Sequence, residues 1–93
     1  MFNILNWCTI LLYIRNLQDV KRCLLETGYV QGVEDKEVGF VDSAETCLTL
    51  IRRVEPAANG LTWESESLKC YAEFGAAIIK PECNICQSCI FES

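Results

Sequence analysis

Asp42-Ser-Ala-Glu-Thr-Cys-Leu-Thr-Leu-Ile-Arg-Arg-Val54 is the stretch that decides the fold. Asp42 stands where a side-chain oxygen can cap the first turn of a helix, and Glu45, three residues on, can reach back to complete a capping box. Ala44, Cys47, Leu48 and Ile51 then recur at helical spacing and form one apolar stripe, with Glu45, Thr49, Arg52 and Arg53 on the outer side. The two arginines fall near the C-terminal end, where cations suit the helix dipole. Pro56 biases Glu55 out of helical conformation, so the spacing predicts a helix over 43–54. Its buried stripe carries a cysteine.

Outward from this helix the pattern changes to strands. On the N-terminal side, Gly28-Tyr-Val-Gln-Gly-Val33 alternates enough for a short strand, Glu34-Asp35-Lys36 reads as a polar turn, and Glu37-Val-Gly-Phe-Val41 reads as a second strand. On the C-terminal side, Asn59-Gly60 is a turn signal. Leu61-Thr-Trp-Glu64 and Leu68-Lys-Cys-Tyr-Ala-Glu-Phe74 follow as paired antiparallel strands joined across Ser65-Glu66-Ser67. In the second of these, Leu68, Cys70, Ala72 and Phe74 share one face and Lys69, Tyr71 and Glu73 the other, so Cys70 points inward as Cys47 does. Gly75 to Pro81 reads as a connection and Ser88-Cys-Ile-Phe91 as a closing strand.

The chain has 93 residues, seven of them cysteine and none histidine. A core of this size is marginal unless it is reinforced. Cys23, Cys47, Cys70 and Cys89 lie at well-separated points of the strand-and-helix pattern, where bridges can staple one small domain together. Cys8, Cys83 and Cys86 remain for an additional or intermolecular bridge, and the odd total leaves at least one thiol over. Residues 31–93 hold eleven Asp and Glu against five Lys and Arg. Such a surface repels nucleic-acid phosphates, and no basic stripe offsets it.

The order Asp42-Ser-Ala-Glu-Thr-Cys-Leu48, then Ala58-Asn-Gly-Leu-Thr-Trp63, then Lys69-Cys-Tyr-Ala-Glu-Phe74 resembles a PAN/apple domain over roughly residues 23–92. The resemblance implies an α+β fold, an antiparallel sheet crossed by one helix. It also implies a Cys47–Cys70 bridge from helix to strand and a Cys23–Cys89 bridge that ties the first strand to the last. Ile51 stands where a second helix cysteine is common in that family, and Ala57 and Ala58 stand where its partner would be. What remains is the two-disulfide PAN form. For function, the resemblance implies an extracellular recognition or adhesion module with protein or carbohydrate ligands and no catalysis.

The residues themselves are consistent with a non-catalytic module. Cys83-x-x-Cys86-x-x-Cys89 has a spacing that can wrap zinc or an iron–sulfur cluster, but histidine is absent and a fourth ligand would have to come from Cys8 or Cys70. Bridges are therefore expected, with no metal and no cofactor. A catalytic base would have to be Asp, Glu or Lys, and the carboxylates are scattered through turns and outward faces. Trp63 and Tyr71 form a candidate aromatic platform for a ligand on the solvent side of the strand pair.

Residues 1–19 make an apolar N-terminal segment distinct from the domain at 20–93. Arg15 ends its apolar run short of the ~20 residues that a membrane span needs. The segment is either a degenerate targeting signal or a retained strand or helix. If retained, Phe2, Ile4, Leu5, Trp7, Ile10, Leu11 and Leu12 require cover. Self-association through residues 2–14, locked by a bridge from Cys8 to Cys83 or Cys86 of a neighbour, is the alternative function. In that case the chain is a structural subunit of an oligomer or filament.

Overall fold

The computed structural model describes residues 22–92. The apolar segment with Cys8, and the assembly expected of it, lie outside the described residues.

Helix α1 (Ala44–Val54) forms where the sequence predicts it, with its cap one residue later than expected. Ser43, in extended conformation, accepts a hydrogen bond from the Thr46 N–H at 3.1 Å. Asp42 is displaced to a supporting position, where its carboxylate accepts from the Thr46 hydroxyl at 3.2 Å. The shorter serine reaches the third amide directly, which is the geometry a cap requires. At the other end the Glu55 N–H still donates to the Ile51 carbonyl at 2.7 Å, and the helix stops before Pro56.

Among the described residues there are seven strands: β1 (Glu26–Thr27), β2 (Tyr29–Gln31), β3 (Glu34–Phe40), β4 (Gly60–Glu64), β5 (Lys69–Phe74), β6 (Ile78–Lys80) and β7 (Cys86–Ile90). Five of them make one antiparallel sheet in the order β1-β7-β4-β5-β3. Strands β2 and β6 pair separately. The polar run Glu34-Asp35-Lys36 is therefore strand and not turn, because its backbone pairs with Phe74, Glu73 and Ala72 of β5. The stretch taken as a connection, 75–81, contains β6, whose residues pair with Tyr29, Val30 and Gln31.

The helix covers one face of the large sheet. Ala44, Cys47 and Ile51 meet Leu61 and Trp63 of β4, Cys70 and Ala72 of β5, and Cys89 of β7 in one buried cluster. Two bridges run through or beside it. Cys47 is bonded to Cys70, fixing helix to sheet, and Cys23 is bonded to Cys89, fixing the start of the domain to its last strand. The bridge pattern makes this a small disulfide-rich α+β domain. Among the described residues no helix is long and apolar enough to cross a membrane.

On the opposite face, β2 crosses part of the sheet. Gly28, with φ +133°, turns the chain from β1 into β2. A Cβ there would collide with the Lys80 carbonyl, so glycine is needed for both conformation and space. The Val30 N–H of β2 then donates to the Thr62 hydroxyl of β4 at 3.0 Å. Part of the sheet is left uncovered beside this crossing.

Candidate functional site

Strand alternation sets which side chains reach the uncovered face. In β5, Cys70 and Ala72 face the helix, so Tyr71 and Glu73 face away from it. Register carries the same choice to the neighbours: Tyr71 lies opposite Thr62 of β4 and Glu37 of β3, and Glu73 lies opposite Asp35 of β3. On the far side of β4, Thr62 pairs with Ser88 and Glu64 with Cys86 of β7. A bulge between Glu37 and Gly39 then shifts β3, so that Gly39 comes opposite Cys70, while Asp35 and Glu37 lie on the open side.

These residues line a recess of about 310 Å³ formed by Tyr29, Val30, Asp35, Thr62, Glu64, Tyr71, Glu73, Cys83 and Cys86. A second hollow of about 250 Å³ shares Tyr29, Val30, Asp35 and Glu73 and continues along β2 to Val33. The floor is polar but enclosed. Thr62 is 4% exposed, Glu73 4% and Ser88 fully buried.

The buried hydroxyls hold β2 and the sheet together. Ser88 donates to the Gly28 carbonyl, and its Oγ lies 3.2 Å from Thr62 Oγ1, which itself accepts from the Val30 N–H. Burial pushes the Glu73 carboxyl up to about 7, and the negative charge of Asp35 adds to that, against a hydrogen bond from Thr62 that favours the charged form. Burial also raises the Tyr71 phenol, followed by the charge of Glu64, with Lys69 opposing and Glu37 and Asp35 adding. Both groups therefore sit in one negative field. The two ion pairs among the described residues do not neutralise it. Lys36 turns to the helix side and meets Glu55 at 2.7 Å, while Lys69 reaches Glu37 at 3.7 Å on the outer part of the face.

The Cys83–Cys86 bridge closes one wall of the recess. These two cysteines are bonded to each other, which is the additional bridge that the sequence left open, and Cys8 lies outside the described residues. Among the described residues, no group of three Cys, Asp or Glu side chains is placed to hold a metal ion.

The expected aromatic platform is corrected. Trp63 lies opposite Cys70, on the helix face, where it is 8% exposed and its indole N–H donates to the Val41 carbonyl at 3.0 Å. Tyr71 lines the recess on the other face, paired with Thr62. One residue of strand alternation separates the two rings, and it sends them to opposite sides. The aromatic partner of Tyr71 in the recess wall is Tyr29.

Sequence reasoning placed Tyr71 and Glu73 on the outward face but gave no role to Glu73, Asp35, Thr62 or Tyr29. The alternation Tyr71-Ala72-Glu73 and the acidic run Glu34-Asp35 were visible. What was missing was the crossing of β2, which turns an open sheet face into an enclosed one. No protein-family model, no curated protein and no solved structure matches the chain.

Proposed function

We propose that this chain is a non-catalytic recognition or adhesion module of the PAN/apple kind, working outside the cell and taking a protein or carbohydrate ligand in the recess. The observation that carries the proposal is the recess itself. A polar, tyrosine-walled hollow is held open by a bridge at Cys83–Cys86 and a hydroxyl network at Thr62 and Ser88. Amphipathic rings beside fixed polar groups are the usual equipment of recognition surfaces. The bridges Cys47–Cys70 and Cys23–Cys89 support the family, since they join helix to strand and the start of the domain to its last strand, as the resemblance to PAN/apple domains implies. Three bridges in so short a domain support an oxidising compartment.

The test is an array of peptides and glycans probed with the disulfide-intact chain, followed by Tyr71→Ala. A ligand found on the array should be lost with Tyr71→Ala and kept with Val54→Ala, which lies on the exposed end of the helix. Equal loss with both, or binding indifferent to Tyr71, would place recognition elsewhere.

A second function, assembly through residues 2–14, is supported by an open, partly apolar hollow of about 410 Å³ lined by Leu24, Ala77, Ile78, Ile79 and Ile90 together with Glu26 and Glu92. It opens beside the Arg22–Glu92 bridge, where the N-terminal segment joins the domain. Light scattering on chains with and without residues 1–19 separates the two: assembly requires that the oligomer disappear with the segment.

A further inference from the structure

We propose that the recess takes a cationic side chain of a protein ligand, an arginine, seated between Tyr29 and Tyr71 with its guanidinium against Glu73 and Asp35. This rests on the reading of the recess as a ligand site and narrows it from protein or carbohydrate to a basic protein surface.

The first argument is the placing of charge. Asp35 and Glu73 stand directly opposite each other on β3 and β5, a pairing that like charges disfavour. Glu64 joins them at the recess wall. Among the described residues no lysine or arginine lines the recess, and Lys69, whose charge reaches Tyr71, is engaged by Glu37.

The second argument is the burial of Glu73 within that cluster. Its side chain is almost wholly buried, lines both hollows, and has no ion pair among the described residues. Its hydrogen-bond support is the Thr62 hydroxyl. The Thr62 oxygen accepts from Ser88 Oγ at 3.2 Å and from the Val30 N–H at 3.0 Å, which leaves its one proton for the carboxylate. A buried carboxylate with one hydroxyl donor and no cation beside it among the described residues is costly. A guanidinium from outside supplies what is missing, as planar paired donors for a carboxylate and a flat cation for a tyrosine face. A neutral sugar offers hydroxyl donors but leaves the opposed charges of Asp35 and Glu73 unrelieved.

Proton linkage follows from the neighbours. The groups facing Glu73 are Asp35 from β3, Glu64 from β4, Tyr71 from β5 and Tyr29 from β2, while Cys83 and Cys86 are bridged and do not titrate. Around neutral pH the carboxyl must give up a proton to pair with the cation, so arginine binding should strengthen as pH rises from 6 to 8.

The experiment is a nitrogen-15 NMR titration of the disulfide-intact chain with acetyl-Gly-Arg-Gly-amide, with the peptide in which citrulline replaces arginine, and with a methyl galactoside. The arginine peptide should move the amides of Tyr29, Thr62, Tyr71 and Glu73 and bind about tenfold more tightly than the citrulline peptide. That advantage should grow between pH 6 and 8. Glu73→Gln should remove most of it. Asp35→Asn, at an exposed position with no structural demand, should reduce it in part, and keeps the test decisive if Glu73→Gln disturbs the fold. Equal binding of arginine and citrulline peptides refutes the inference. If the galactoside moves the recess amides while the two peptides tie, the recess is still a ligand site and only the cationic assignment falls. If no probe moves those amides, the reading of the recess falls with it.

Discussion

Replacing Glu73 with glutamine tests the energetics of the recess apart from any ligand. A carboxyl whose value rises from 4.5 in the unfolded chain to about 7 in the folded one binds its proton more tightly when folded. Its contribution to stability is full below 4.5 and is lost as pH climbs through about 7. Each pH unit is worth roughly 1.4 kcal/mol, so the whole window corresponds to about 3 kcal/mol. Glutamine keeps the shape and has no such dependence. The difference in unfolding free energy between Glu73→Gln and the parent should therefore move in favour of the variant by about 2–3 kcal/mol between pH 5 and pH 8. Urea unfolding of both chains at pH 5, 6, 7 and 8 with bridges intact measures it. Taking the difference cancels the titration of the exposed carboxylates. A difference that stays flat to within about 0.5 kcal/mol over that range would show that Glu73 is not held in the protonated form, and the argument for a buried carboxyl without a countercharge would fail.

The other expectations concern the frame. The loop closed by Cys47–Cys70 spans 23 residues and that closed by Cys83–Cys86 only three, so Cys47→Ala with Cys70→Ala should cost about 3 kcal/mol and Cys83→Ala with Cys86→Ala about 2. Denaturant midpoints should rank in that order, and the reverse order would count against the loop-entropy account. Ser43→Ala should lower stability by about 1 kcal/mol while Asp42→Ala costs less, because Ser43 makes the backbone cap. Trp63→Phe should cost about 1 kcal/mol by stranding the Val41 carbonyl, and it should leave any ligand bound in the recess unaffected.

The helix, the β4–β5 hairpin and the inward cysteines were legible because each is a local pattern: a cap, a 3.6-residue stripe, a two-residue alternation. Strand β6 and the strand character of Glu34-Asp35-Lys36 were not. A run of three charged residues resembles a turn in isolation, and only pairing with Phe74, Glu73 and Ala72 fixes it as strand. The recess was hidden for the same reason. Its floor comes from β4, β5 and β7 and its cover from β2, and Thr62 meets Val30 across 32 residues of sequence and Ser88 across 26. No window of sequence contains such a contact.

Trp63 and Tyr71 show how far the rule of alternation can carry function. The parity that buries Leu61, Trp63, Cys70 and Ala72 under the helix must send Thr62, Tyr71 and Glu73 the other way. Once the bridge Cys47–Cys70 assigns the helix to one side, polar residues accumulate on the other, and burial of that side by β2 comes at the expense of Glu73. A chain selected only for stability would place an apolar residue there, since Val30, Cys86 and the Thr62 methyl already offer apolar company. A carboxyl at this buried position is what ties the sheet's parity to the proposed ligand. It makes Glu73 the residue at which stability and recognition should trade against each other.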